Sequence, residues 1–266
     1  AIVGSNGAGK STLFRILLGM DSPTEGESFV LGVNSQVLPE HIRGSVGYVN
    51  EEHTLPDWMS VEGVMQLQRS FYSQWEQSVY NRSISYFDIN PKQKVSGLSR
   101  GERAGLSLSL ALAQQPRLLI LDEPTLGLDV VAKQNFLESL MIIGTEQETA
   151  IIYCSHQMEE IERLADNLIL MEKGTLLSHG SPEDLVSQVS AFSVDFDTHA
   201  FRPQNIPGFL SYKIIEGLHH IMVAGKPTSF ESQIQLMGGR YIQPMPVNLE
   251  TAINAYLTRN HNKPAE

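Results

Sequence analysis

Basic residues are scarce in this chain, cysteine is nearly absent, and no apolar run is long enough to cross a bilayer. Its 266 residues carry 19 Lys and Arg against 30 Asp and Glu, a formal net charge of −11. A surface that grips nucleic acid needs clustered cations facing phosphates, so this balance argues against DNA or RNA as a partner. The single cysteine, Cys154, excludes an intramolecular disulfide and suits a reducing compartment. It lies in an apolar stretch, where a packed, inert thiol is the ordinary reading. A membrane-spanning helix needs about 20 consecutive apolar residues, and no such run occurs. No internal repeat or low-complexity tract occurs, no signal peptide is visible in these residues, and the first of them is not Met. What remains is 41% hydrophobic and 18% charged, enough to bury one good core plus an appendage.

Against that background one stretch stands out. Gly4-Ser5-Asn6-Gly7-Ala8-Gly9-Lys10-Ser11-Thr12 fits the phosphate-cradling pattern of Gly, four residues, then Gly-Lys-Ser/Thr. Its glycines let the backbone bring N–H groups against phosphate oxygens. Lys10 places a compact cation on the β/γ-phosphates, and the Ser11 hydroxyl is a Mg²⁺ ligand. Ile2 and Val3 read as the end of a buried strand, and residues 12–18 as a helix whose N-terminus faces the anion. Downstream, Leu118-Leu119-Ile120-Leu121 is an apolar run ending in Asp122 and Glu123, which reads as a buried parallel strand. Asp122 then stands at the carboxyl end of the strand, where open α/β sheets bind ligands. There it would hold Mg²⁺ through the hydration shell, with Glu123 reaching the water that attacks the γ-phosphate.

The remaining segments follow in a fixed order. Leu98-Ser99-Arg100-Gly101-Glu102 precedes a helical pattern over residues 102–113, and Leu126-Gly127-Leu128-Asp129 follows the carboxylate pair. Tyr153-Cys154-Ser155-His156 ends a β-rich run, and Val46-Gly47-Tyr48-Val49-Asn50-Glu51 lies upstream. Together with the phosphate loop, this series resembles the ATP-binding subunits of ATP-binding-cassette transporters over roughly residues 1–185. The resemblance implies an α/β P-loop NTPase with a RecA-like parallel-sheet core. It also implies a helical signature subdomain (about 52–115) and a small α+β C-terminal appendage. The nucleotide-binding domain is expected over 1–190 and an accessory domain over 191–266. Family members carry further strands upstream, including one with an adenine-stacking aromatic, so the chain is expected to be a truncated piece.

The resemblance also implies roles. Two such domains pack head to tail and trap two ATP molecules. Ser99 and the Gly101 N–H would contact the γ-phosphate of the nucleotide bound to the other copy. Asp129 would link the two sites, and His156 would bond the γ-phosphate and hold the Glu123 geometry. The expected catalytic residues are therefore Glu123 and His156, with Ser11, Asp122 and Glu51 at the metal. ATP and Mg²⁺ are the expected cofactors. The expected partners are a second copy or a paralogous ATPase subunit and a separate transmembrane permease at the cytoplasmic face of the membrane. An exporter is the leading function, and a soluble ATPase acting on ribosomes or nucleic acid is the alternative. Lys10 and Ser99 are 99 − 10 = 89 positions apart with no heptad run between them, which disfavours the coiled-coil DNA-repair relatives.

Two positions depart from the family pattern. Arg100 replaces the first glycine of the signature, while Ser99 and Gly101 are kept. Glu51 stands where Gln is usual, and is expected to contact the metal or its water and to sense the permease. Elsewhere, Val61, Val64, Met65, Leu67, Phe71 and Tyr72 recur at helical spacing. Met65, Phe71, Trp58 and Trp75 read first as core and second as a partner-docking surface, with Trp58, Asp57 and Met59 as docking candidates. Lys173-Gly174 signals a hairpin and Ser181-Pro182-Glu183-Asp184 a helix start. In the tail, strand-like alternation over Phe192, Val194 and Phe196, a strand at 219–223 and a helix at 248–258 are expected. Adjacent His219 and His220 would point to opposite strand faces, against a shared metal.

Overall fold

A computed structural model describes residues 1–196, 206–225 and 230–258. Their contacts divide the chain into two compact units, one of residues 2 and 9–156 and the other of residues 1, 3–8 and 157–266.

The first of these units opens with Ile2 of β1 (Ile2–Gly4) and α1 (Lys10–Leu17), followed by the short hairpin β2 (Phe29–Val30) and β3 (Val33–Asn34) and by α2 (Glu40–Arg43). Next come β4 (Val46–Val49), the helices α3 (Val61–Phe71), α4 (Gln77–Ile84) and α5 (Arg100–Ala113), then β5 (Leu118–Asp122), α6 (Val130–Glu146) and β6 (Ala150–Cys154). β4, β5 and β6 are parallel neighbours, with Val46 opposite Leu118 and Asp122 opposite Cys154, and Ile2 is the parallel partner of Cys154. Strands covered on both faces read as continuous apolar runs, and Leu119, Ile120 and Leu121 are fully buried. Parallel strands require crossovers, and helices provide them here. The carboxyl ends of β5 and β6 consequently point the same way, and Asp122, Glu123, Ser155 and His156 emerge side by side.

The helical insertion has a core of Val61, Val64, Tyr80, Val95, Leu98, Leu106, Leu110 and Ala113. α3 is capped by Ser60, whose hydroxyl accepts from the Gly63 N–H. Helices α4, α5 and α6 are joined by a buried relay of hydroxyls, Ser109 to Ser83 at 2.9 Å and Ser83 to Ser139 at 3.0 Å. At Gly105 a Cβ would sit 2.3 Å from the Phe87 ring, so only glycine lets the ring lie against α5. The aromatic and methionine residues read as core divide: Met65 and Trp75 pack on it, whereas Trp58 and Phe71 are 77% and 68% exposed. Helical spacing assigns a face but not its cover, which is why the core reading fails for those two.

The other unit holds Val3–Gly4 of β1, then α7 (Met158–Leu164), β7 (Leu168–Glu172), β8 (Thr175–Gly180), α8 (Pro182–Ser187), β9 (Val189–Phe196), β10 (Phe209–Ile215), β11 (Leu218–Ala224), α9 (Phe230–Leu236), β12 (Gly239–Met245) and α10 (Leu249–Thr258). β7 and β8 form the expected hairpin, turning at Lys173 (φ 48°) and Gly174 (φ 76°), the double positive φ that matches strand twist. α8 starts at the expected place, with a reciprocal cap between Ser181 and Asp184 and Pro182 in its first turn. β10, β11, β9 and β12 make an antiparallel sheet in that order. His219 bonds the Tyr212 hydroxyl at 2.7 Å and meets the Phe196 ring edge-on. One core of this unit draws Val3, Ile161, Leu168, Leu170 and Leu185 together with Leu210, Leu249 and Ile253.

Candidate active site

The phosphate loop is shaped by its own backbone. Gly7 and Gly9 take φ of 79° and 99°, and the Ala8 N–H closes on the Ser5 carbonyl at 3.0 Å. At Gly4 a Cβ would lie 2.3 Å from the Met171 carbonyl oxygen, so the strand can leave the sheet there only as glycine. α1 begins at Lys10 with no side-chain cap and no acid in its first turn. Uncapped N-terminal N–H groups attract an anion.

Lys10, 9% exposed, belongs to the same group as Ser11 and Asp122. Burial raises the Asp122 carboxyl above its ordinary pKa and Glu123 adds to the rise, while the Ser11 hydroxyl bond, the Cys154 thiol and the Lys10 charge oppose it. A buried carboxylate beside a hydroxyl is a hard-oxygen pair. No group of three or more His, Cys, Asp or Glu suited to a metal occurs among the described residues. A cation here would take its other oxygens from phosphate and water, which is how Mg²⁺ is usually held. The residues present fit it.

Glu123 adopts φ 48°, a left-handed conformation uncommon for a residue with a Cβ. Its N–H bonds the Cys154 carbonyl at 3.1 Å, its Oε2 meets His156 Nδ1 at 2.8 Å, and its Oε1 accepts from Cys154 Sγ at 3.7 Å. The carboxylate is thus held at both oxygens, with its side chain 14% exposed beside a His156 that is 56% exposed. Sequence reasoning treats Cys154 only as packing. Its contact with Glu123 follows from the strand register that sets Asp122 opposite Cys154. Burial drives the thiol pKa well above its ordinary range, so it serves as a neutral donor.

Ser99, Gly101 and Asp129 gather at two helix N-termini. The Ser99 Oγ accepts from the Glu102 N–H at 3.2 Å while Glu102 accepts from the Ser99 N–H at 2.7 Å, a reciprocal cap on α5. Asp129 caps α6 through the Val131 and Ala132 N–H groups, both at 2.9 Å. A Cβ on Gly101 would lie 2.6 Å from the Ala132 methyl, so the two first turns touch. Glu51 is exposed, and its carbonyl accepts weakly from Arg100 at 3.4 Å. Ser5 and Asn6 are exposed in the loop, Ala8 is buried, and Thr12 is exposed on α1. His53, absent from the sequence-based set, is 1% exposed, and burial above all pushes its pKa down to about 4.

Known proteins resemble this chain over most of its length. The Nod factor export ATP-binding protein I of Rhizobium etli is 32% identical over 259 residues, spanning 94% of this chain and 81% of that protein. The chain belongs to the ABC transporter family. The sequence profile of that family, described as "ABC transporter", matches residues 1–126. The ABC transporter ATP-binding protein YtrB of Bacillus subtilis is 25% identical over 252 residues, covering 94% of this chain and 85% of its own. A solved ATP-binding subunit of an ABC transporter superposes with a TM-score of 0.61 at 26% identity, over 69% of this chain and 78% of that one. The α/β P-loop fold read from the sequence is the fold observed, and this ABC subunit is an ATPase that drives transport.

Proposed function

We propose that the chain powers export through a separate membrane permease, by pairing with a second ATPase subunit around two ATP molecules and separating after hydrolysis. The observation that supports it most directly is the pair of clusters: Lys10 and Ser11 in the first turn of α1 with Asp122, Glu123 and His156 at the ends of β5 and β6, and Ser99, Gly101 and Asp129 at two helix N-termini. Phosphoryl transfer asks for positioning and charge neutralisation more than for covalent chemistry. Residues 4–9 cradle the phosphates and Lys10 neutralises them. Ser11 and Asp122 would hold Mg²⁺, with Glu51 reaching it through water, and the ion would supply further positive charge. Glu123 polarises the attacking water, and His156 fixes Glu123 and reaches the γ-phosphate.

The second cluster completes the site of the other copy. The Ser99 hydroxyl accepts from Glu102, which leaves its own proton to donate to a phosphate oxygen. The Gly101 N–H and the α5 terminus favour the same anion. Charge-assisted bonds are worth about 1.5–3 kcal/mol each, so several per site make pairing depend on ATP. No helix among the described residues is long and apolar enough to cross a membrane. A permease on another chain is consistent with that observation, and the subunit would meet it at the cytoplasmic face of the membrane. The acidic balance speaks against nucleic acid as the target. The export direction is drawn from the Rhizobium relative.

The test uses the full-length subunit and Glu123→Gln. Turnover should fall by at least about 100-fold, the scale of a lost general base, while ATP shifts the variant to a dimer in size-exclusion chromatography. Unchanged turnover would overturn the role of Glu123, and a persistent monomer in excess ATP would overturn the pairing.

A further inference from the structure

The turn after β4 closes on itself. The Asn50 side chain accepts from the Thr54 N–H and donates to the Thr54 hydroxyl, both at 3.1 Å, and the His53 N–H bonds the Asn50 carbonyl at 3.1 Å. Within this turn His53 takes φ 49° and is almost wholly buried, while its neighbours Glu51 and Glu52 are exposed. Neither ring nitrogen completes a well-formed hydrogen bond, although the ring faces the carbonyl of Pro124. A polar ring left unsatisfied in the interior and a left-handed backbone both carry a cost, and such features persist where the surrounding structure requires them. Pro124 directly follows Glu123. Arg100, the departure from the family signature, donates to the Glu51 carbonyl, and its guanidinium lies 3.2 Å from where a Cβ on Gly127 would stand. Residues 50–54, residues 123–128 and the first turn of α5 therefore meet at one junction.

We propose that His53 is a positioning residue for ATP hydrolysis: seated against the Pro124 carbonyl, it sets the backbone that aims Glu123, and Arg100 closes the junction from the signature side. The proposal rests on the assignment of Glu123 as the hydrolytic carboxylate and deepens it. A ring N–H donates to the Pro124 carbonyl as the site tightens on nucleotide, the usual behaviour of hydrogen bonds that are loose in a free enzyme. The strained φ of Glu123 is then held from both sides, by the Cys154 carbonyl on its own N–H and by His53 on the next carbonyl.

Steady-state ATPase assays on the full-length subunit test this. His53→Leu keeps the volume and removes the donor, so kcat should fall by about tenfold with the KM for ATP within about twofold, the signature of an interaction made in the transition state. His53→Gln restores a neutral N–H donor and should recover kcat to within about threefold of the wild type. Equal kcat for the Leu and Gln variants, or a loss confined to KM, overturns the proposal. Arg100→Ala removes an exposed side chain and probes the junction should His53→Leu not fold; its kcat should fall about threefold at constant KM, and an unchanged kcat overturns the proposal. If the wild type hydrolyses ATP and Glu123→Gln does not, yet His53→Leu turns over normally, only the role of His53 fails. If Glu123→Gln itself turns over normally, the assignment of Glu123 fails, and the proposal with it.

Discussion

Glu123 and Glu51 are both carboxylates assigned to the ATP site, yet their surroundings differ. Glu123 is held at both oxygens and at its N–H, whereas the Glu51 side chain is exposed at the edge of a tight turn. An exposed carboxylate is tolerated beside phosphates only if a cation lies between them. Glu51→Gln keeps the shape and removes the charge. The Mg²⁺ concentration for half-maximal ATPase activity should rise by roughly tenfold, as for other outer-shell ligands. An unchanged Mg²⁺ dependence would take Glu51 out of the metal site. At this scale the sequence was informative where a motif fixes spacing, as at Lys10, Ser11 and Asp122. It was silent where strand register decides: nothing near Cys154 in the chain announces a thiol bonded to Glu123, thirty-one residues away.

Two helix ends hold the residues proposed to complete the site of the other copy. Ser99 caps α5 and is proposed to contact phosphate, two roles that substitution can separate. As the cap of α5 it is worth about 1 kcal/mol, and Asp caps as well as Ser does. As a donor to phosphate it cannot be replaced by an anion. Ser99→Asp should therefore unfold within about 0.5 kcal/mol of the parent without nucleotide, yet lose the ATP-dependent dimer in a Glu123→Gln background; a dimer that still forms would refute the phosphate contact. The helices around α5 give a pH test. Tyr80 is 6% exposed in their core, and burial raises its hydroxyl pKa to about 12 from the ordinary 10. With the folded value the higher, the stabilisation is complete below pH 10 and is lost as pH climbs from 10 toward 12. At pH 11 the loss is about 1.4 kcal/mol. Tyr80→Phe should lose less stability than the wild type between pH 9 and 11 in chemical denaturation, and identical losses would contradict the shift. Ser181-Pro182-x-Asp184 made the start of α8 legible, because capping is local, and the helical pattern over residues 102–113 marked α5. Whether Trp58 or Trp75 is covered depends on elements far along the chain, so periodicity could not separate them.

At the scale of the molecule, the strand that launches the phosphate loop shares its core with the tail. Val3 packs in one cluster with Ile161, Leu168, Leu170 and Leu185 and with Leu249, Ala252, Ile253 and Tyr256 of α10. Motifs marked residues 1–185 as nucleotide-binding and composition marked a change near 190, but a shared core leaves no trace in either signal. Its members are ordinary apolar residues whose neighbours are set by the fold. We propose the boundary near 190 as a change of architecture, at which packing against the β1 strand continues. The consequence is measurable. Leu249 and Ile253 are 3% and 1% exposed, and truncating a buried Leu or Ile to Ala costs about 2–5 kcal/mol. The double variant Leu249→Ala, Ile253→Ala lies far in sequence from every residue assigned to ATP. Its folded state should lose at least about 4 kcal/mol, and β1 should loosen with it. Bound nucleotide stabilises only the folded form, so ATP should partly restore the lost melting temperature. A variant that melts like the wild type, or one that unfolds only in the tail while residues 3–8 keep their amide protection in hydrogen exchange, would show that α10 does not support the phosphate loop.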